Sequence, residues 1–318
     1  MAVLEASSQL NPQKARGLDK ANWVADVLLL MVAIIWGSTY ITAKTVVSVY
    51  PVFLFLFLRF GLTVLMIAPF SMRNFRRYSR STWRVGGILG LFLFSIYSLE
   101  TVGIFYTSAS NAGFLISLCI LLVPIVEGIV YKRNPGAAVF GVVLLSLIGT
   151  GLLTLKDGYQ FNVGDLLILA AALMRAVQMT YTKKLTKDQE FDSAALTTIQ
   201  LAVVAVLTGC VALVEPRPVA EVHSSWTFWL ITLYLALFAT LFAFYVQMTM
   251  IRRTSPFRVG ILLGTEPLFG ALFAVLFGGE SLTVLGMFGG GLIVAATYWG
   301  RQIEFRRQLS LSTGPGRD

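Results

Sequence analysis

The sequence predicts an all-α integral membrane protein with ten transmembrane helices in two inverted five-helix repeats. Three observations lead there. The 318-residue chain is 56% hydrophobic and only 13% charged, against roughly 25% charged in a soluble domain. Its apolar residues run in unbroken stretches near the ~20 residues needed to cross ~30 Å of hydrocarbon. Its lysines and arginines fall almost wholly on one side of the membrane once those stretches are threaded back and forth.

The predicted spans are 24–44, 51–70, 85–106, 109–131, 137–155, 163–183, 193–214, 226–247, 256–277 and 281–300. Each must be a helix, because lipid offers the backbone no hydrogen-bond partner. With the N-terminus inside, the inner segments carry Lys14, Arg16 and Lys20, the cluster Arg73 to Arg84, Lys132 and Arg133, and Lys183, Lys184 and Lys187. Arg252, Arg253, Arg258 and the arginines of the C-terminal tail continue the inner set, while the outer side holds only Lys44, Lys156 and Arg217. Cytoplasmic loops are enriched in positive charge, so the asymmetry places both termini in the cytoplasm and supports the span count. Five spans per half is an odd number, so the second half lies inverted relative to the first, a common plan of secondary transporters. Residues 1–22 then form a cytoplasmic tail, 23–157 the first repeat, 158–300 the second, and 301–318 a second cytoplasmic tail.

The net charge of +9 belongs to those inner loops, so nucleic-acid binding is not expected. Cys119 and Cys210 both fall in apolar runs and read as buried, inert thiols. One histidine, His223, provides no basis for a histidine metal site. No G-x-x-x-x-G-K-[ST] loop is present, so ATP does not drive the chain directly. No nucleophile with a histidine base can be assembled. No cofactor, no metal and no enzyme activity are expected.

Internal similarity is weak but present. Glu100 to Phe114 can be laid on Gln247 to Ile261, matching Thr107-Ser108 with Thr254-Ser255. Each half then has a proline deep in the next helix, Pro124 or Pro267. Proline removes a backbone hydrogen bond, so these read as interruptions and hinge candidates. Gly260 and Gly264, Gly286 and Gly290, and the cluster Gly86, Gly87 and Gly90 predict close helix packing, with hinge motion as an alternative.

Charges within spans are the most informative feature. Arg59, Glu100, Glu127, Arg175 and Glu266 lie inside them, and each costs about 2.5–3.5 kcal/mol at the bilayer centre. They should face a polar cavity or one another; Glu127 is close enough to the end of its span to snorkel. Helical spacing puts Trp36 with Tyr40, Tyr97 with Glu100, Arg175 with Gln178 and Thr182, and Thr240 with Phe244 and Gln247. Trp36, Tyr40, Arg59, Tyr97, Glu100, Arg175, Gln178, Phe244, Gln247 and Glu266 are therefore the candidate substrate-binding residues, lining a cavity suited to amphipathic solutes. A carboxyl alternately exposed to two sides is the simplest proton carrier, and Glu266 is the first candidate, Glu100 the second. Arg59 and Arg175 read either as anchors for a substrate carboxylate or as partners of these acids.

The segments WGSTYITAK (Trp36 to Lys44), LRF (Leu58 to Phe60) and ETVGIFYTSASNAGFLISLCILLVPIVEGIVYKRNP (Glu100 to Pro135) resemble the EamA family of the drug/metabolite transporter superfamily. So do GDLLILAAALMRA (Gly164 to Ala176), Gln200-Leu201 and TSPFRVGILLGTEPLFGALFAVLFGGESLT (Thr254 to Thr283). The resemblance implies two inverted five-helix repeats and a permease of the bacterial inner (plasma) membrane, usually an exporter of amino acids or other metabolites. Glu266-Pro267 matches a Glu-Pro common in the ninth helix of this family, whereas Glu100 and Arg175 depart from its pattern.

The resulting expectation is a secondary-active exporter of small organic metabolites, working by alternating access. The rival readings are a membrane-embedded enzyme acting on lipid and a channel or facilitator. The expected partners are a small-molecule substrate, protons as coupling ion and the lipid bilayer, with the chain a monomer or homodimer.

Overall fold

The computed structural model of the protein describes residues 12–71, 78–107, 109–132, 134–154, 161–214, 225–278 and 283–313. Ser108, Arg133, Lys156 and the whole of 72–77 and 215–224, Arg217 among them, used above for register and orientation, lie outside the described residues. Every regular element among the described residues is helical. In chain order these are α1 (Pro12–Val47), α2 (Val52–Ser71), α3 (Arg80–Tyr106), α4 (Ala109–Ser117), α5 (Cys119–Tyr131), α6 (Ala137–Thr154), α7 (Val163–Thr186) and α8 (Ser193–Ala212). There follow α9 (Trp226–Tyr234), a π-helical segment (Leu235–Phe242), α10 (Ala243–Arg253), α11 (Pro256–Leu263), α12 (Glu266–Gly278) and α13 (Val284–Thr313). Seven helical stretches among the described residues are long and apolar enough to cross a membrane.

Side-chain caps begin several helices where the sequence places Ser, Asn or Asp. Ser79 accepts from the Thr82 N–H, Ser225 from Phe228 and Ser255 from Arg258, each at 3.1 Å. Asn162 and Asp165 form a reciprocal capping box at the start of α7. Such caps satisfy amides that the first helical turn leaves orphaned. Burial follows the helical period: on α3, Val85, Leu89, Leu93, Ile96 and Tyr97 face inward. The opposite faces carry large apolar side chains with no protein cover, such as Leu65 and Ile129, each 72% exposed. That is the surface a bilayer solvates and water does not. Cys210 belongs to it: α8 turns Val206 and Cys210, one helical turn apart, outward, so this thiol is exposed rather than buried as the sequence predicted. Cys119 is buried.

The backbones of α6 and α13 approach each other closely. A Cβ added at Gly289 would sit 2.5 Å from the Gly149 carbonyl oxygen, so only glycine permits that contact. The GxxxG pair at Gly286 and Gly290 flags the right helix but not the contacting residue.

Two helices are interrupted at matching places. Between α4 and α5 the Leu118 N–H donates to Leu115 (3.2 Å) and Leu121 to Leu118 (3.0 Å). Between α11 and α12 Thr265 donates to Leu262 (3.2 Å) and Leu268 to Thr265 (3.0 Å). Just upstream, Thr107 donates to Gly103 (2.9 Å) and Thr254 to Met250 (2.8 Å). Every one of these pairs is separated by the same interval, 147 positions (107 to 254, 118 to 265).

The prolines are not the sites of interruption, contrary to the sequence expectation. Pro124 lies inside α5, where it does remove one helical bond, and Pro267 is the second residue of α12, where the N–H has no helical partner anyway. A hydroxyl bonds three residues back at each break, as others do inside the unbroken α1. Ser117 Oγ donates to the Phe114 carbonyl (2.6 Å) and Thr265 Oγ1 to that of Leu262 (2.7 Å), competing with the helical ladder.

The π-segment shifts the hydrogen-bond register. The Ala243 N–H reaches Phe238 rather than Ala239, and the freed Ala239 carbonyl accepts from Trp36 Nε1 at 2.9 Å. Thr63 Oγ1 donates to the Ala236 carbonyl (3.1 Å). Side chains of α1 and α2 thus hold a helical form that is costly alone and frequent at functional sites.

Two lysines cap helix ends in a related way. Lys44 Nζ donates to the carbonyls of Ile104 (2.7 Å), Phe105 (3.0 Å) and Thr107 (2.8 Å) at the end of α3. Lys183 Nζ donates to that of Arg252 (2.7 Å) at the end of α10. A cation there satisfies orphan carbonyls and the helix dipole together. Phe105 and Arg252 are separated by the same interval as the helix breaks.

Candidate functional site

Arg175 is the centre of the buried polar cluster. Its NH2 donates to Glu100 Oε2 at 2.8 Å, and its NH1 lies 3.8 Å from Glu266 Oε2. Tyr40 donates its hydroxyl to Glu266 Oε1 in a short hydrogen bond. All four residues are at most 8% exposed. They come from α1, α3, α7 and α12, so the cluster ties four separate helices together. Such a set is stable only when its members are jointly satisfied; removing one partner of a buried pair costs about 3–5 kcal/mol.

A second cation lies at the other end of an aromatic stack. The Arg59 guanidinium sits 5.0 Å from the Tyr97 ring centroid and 5.6 Å from that of Phe60. Its Nε donates to Thr240 Oγ1 (2.8 Å) in the π-segment and its NH2 to the Tyr97 hydroxyl (3.3 Å). Tyr97 meets Phe244 edge-on at 5.8 Å, Phe244 meets Trp36 at 5.6 Å, and Arg175 covers the Trp36 ring at 5.0 Å. The order Arg59, Tyr97, Phe244, Trp36, Arg175, Glu266, Tyr40 is therefore one continuous layer. Cation–π contacts of this kind gain weight when desolvated.

Beside that layer a cavity opens where the two interrupted helices meet. Ser117 and Cys119 line it from the first break, and Gly264, Glu266 and Pro267 from the second, with Arg175 between them. A break in a helix turns backbone toward such a space, which membrane proteins tolerate only against protein or a water-filled cavity.

Eight of the ten substrate-binding candidates fall in this layer: Trp36, Tyr40, Arg59, Tyr97, Glu100, Arg175, Phe244 and Glu266. Gln178 does not join them; its Nε2 donates to the Leu89 carbonyl (3.3 Å) and braces α7 against α3. Gln247 is buried on α10, one turn beyond Phe244. Pro267 borders the cavity and Pro124 is buried in α5.

The sequence reading passed over a second ion cluster. Arg258 donates through Nε (3.0 Å) and NH2 (2.7 Å) to Asp26 Oδ1, and Arg301 pairs with Asp26 Oδ2 at 2.5 Å. Arg258 and Asp26 are each 2% exposed. It also passed over Asp165, which accepts from the Thr107 hydroxyl at 2.5 Å. Both acids sit close to the start of a predicted span, Asp26 three residues into 24–44 and Asp165 three residues into 163–183, a repetition that could have drawn attention to them.

Comparison with known proteins agrees with this architecture. The model of the EamA-like transporter family matches the chain twice, at residues 23–155 and 162–299. An uncharacterized transporter of Archaeoglobus fulgidus is 30% identical over 272 residues, covering 86% of this chain and 84% of that one. The uncharacterized transporter YetK of Bacillus subtilis is 28% identical over 278 residues, 82% of each chain. A protein solved by crystallography shares the fold with a TM-score of 0.70 at 18% identity, over 89% of this chain and 98% of its own. The chain is a multi-pass membrane protein and belongs to the EamA-like transporter family, within the drug/metabolite transporter superfamily.

Proposed function

We propose that the protein is a secondary-active exporter of small organic metabolites, such as amino acids or amphipathic compounds, in the bacterial inner membrane. It has ten spanning helices in two inverted repeats, residues 23–157 and 158–300, with both termini cytoplasmic. The observation that carries this reading is the pair of interrupted helices with identical hydrogen-bond register, meeting at the Glu100–Arg175–Glu266 cluster. Discontinuous helices at related positions of two halves are where carriers bind solute and move. The breaks at Leu118 and Thr265, each followed by a proline, are the hinges. The lysine caps support the inversion. With the orientation set by the Lys/Arg asymmetry, Lys44 caps α3 at the outer face and Lys183 caps α10 at the inner face.

Two carboxylates share one guanidinium. Arg175 neutralises Glu100 at hydrogen-bond distance and Glu266 only at 3.8 Å. Glu266 is the acid free to take up and release a proton, with Tyr40 holding its other oxygen. A carrier in proteoliposomes shows saturable flux with counterflow when the trans side is preloaded. Flux that rises linearly with solute and shows no counterflow would make the protein a channel and overturn the proposal.

A further inference from the structure

We propose that Arg59 is the solute anchor and that the solute is an amphipathic organic monoanion, its carboxylate on Arg59 and its apolar body against the aromatic stack. This deepens the carrier reading and rests on it. Arg59 and Arg175, which the sequence reading treats alike, differ in the structure. Arg175 has two acidic partners, Glu100 and Glu266. Arg59, 4% exposed, has none among the described residues; its hydrogen-bond partners are the neutral Thr240 and Tyr97. These take two of the five N–H donors of a guanidinium. A buried charge that is not paired is expensive. Arginine cannot relieve that cost by losing its proton. The remaining relief is an anion delivered from outside the protein, and the planar fork of Arg59 matches a carboxylate in two-point contact.

The setting orients that contact. Thr240 fixes Nε from the π-segment, and the Tyr97 and Phe60 rings flank the guanidinium. Tyr97, Phe244 and Trp36 then form a chain of apolar ring contacts leading to Arg175. At that far end two acids share one cation, so once Glu266 has taken up its proton the set is neutral and leaves a solute ammonium no unmatched acid. A solute with one negative charge fits this distribution better than a zwitterion or a cation.

The test uses full-length protein in lipid nanodiscs and three probes of one skeleton: 3-phenylpropionate, phenylalanine and phenethylamine. Calorimetric titration should show 3-phenylpropionate binding most tightly of the three. Arg59→Lys, which keeps the charge but loses the fork, should weaken it about tenfold or more, with helical circular dichroism unchanged. Tighter binding of phenylalanine or phenethylamine, or binding of none of the three, overturns the proposal, and this wild-type comparison needs no variant to fold. Equal affinity in wild type and Arg59→Lys overturns the role of Arg59. Counterflow separates the two readings. Anion binding without counterflow leaves the anion site standing and defeats the carrier, whereas counterflow of another solute without anion binding does the reverse.

Discussion

Replacing Glu100 and Glu266 by glutamine, singly and together, should give strongly non-additive losses of stability. Each substitution keeps side-chain shape and removes one negative charge from Arg175. In Glu100→Gln the 2.8 Å charge-assisted bond is weakened, but Glu266, 3.8 Å away, remains to balance the guanidinium. The expected loss is about 1–2 kcal/mol, the difference between a charged and a neutral hydrogen bond. In Glu266→Gln the strong pair with Glu100 is untouched and the amide oxygen still accepts from Tyr40, so the loss should stay below about 1 kcal/mol. The double variant leaves Arg175 buried at 8% exposure with no acid beside it. That is the situation in which breaking a buried pair costs about 3–5 kcal/mol. The double loss should therefore exceed the sum of the singles by about 1 kcal/mol or more, well outside the ~0.5 kcal/mol scatter of independent sites. Equilibrium unfolding in mixed micelles, followed by circular dichroism, measures all four corners of the cycle. Additivity within that scatter would refute the claim that both acids share Arg175.

Glu266→Gln should still exchange substrate but no longer accumulate it against a gradient or respond to a pH difference; full uphill transport would remove Glu266 as the coupling group. Trp36→Phe keeps the ring but orphans the Ala239 carbonyl, costing about 1–3 kcal/mol; unchanged unfolding would show that the π-segment needs no such support. Pro124→Ala, which restores a helical bond inside α5, should slow turnover more than Pro267→Ala in the first turn of α12; the reverse order would count against a flexing joint at Pro124. In a cysteine-free background, Tyr78→Cys should react with an impermeant maleimide only after the membrane is opened, and labelling in intact cells would invert the topology.

What was legible in the sequence was whatever depends on composition and on charge in the wrong place. A buried Arg or Glu in an apolar run must find a partner, so Arg59, Glu100, Arg175 and Glu266 drew attention to themselves, and helical spacing added Trp36, Tyr40, Tyr97 and Phe244. Less legible were charges near span ends. Arg258 counts as an ordinary inner-loop cation until Asp26 is seen to hold it through two bonds. Gln178 shares a face with Arg175 but turns to the Leu89 carbonyl, because helical spacing fixes a direction and not a partner. The break points escaped because a proline marks an interrupted span only to within a turn or two, and Leu118 and Thr265 lie six and two residues before Pro124 and Pro267. The π-segment has no signal at all: Leu-Ala-Leu-Phe-Ala-Thr-Leu-Phe reads as any apolar helix.

That segment also has a consequence for insertions and deletions. A π-turn is an α-helix that has absorbed a residue, and each residue of an α-helix advances the side chain by about 100°. Removing one residue between Leu235 and Phe242 would turn the Ala243–Phe238 bond into an ordinary helical one, so the side chains downstream would keep their direction relative to those upstream. Phe244 would stay on the ring stack, while the carbonyl that Trp36 now reaches would return to the helical ladder. A single-residue deletion should therefore be tolerated better within this stretch than inside α10, where it would rotate the following side chains by about 100°.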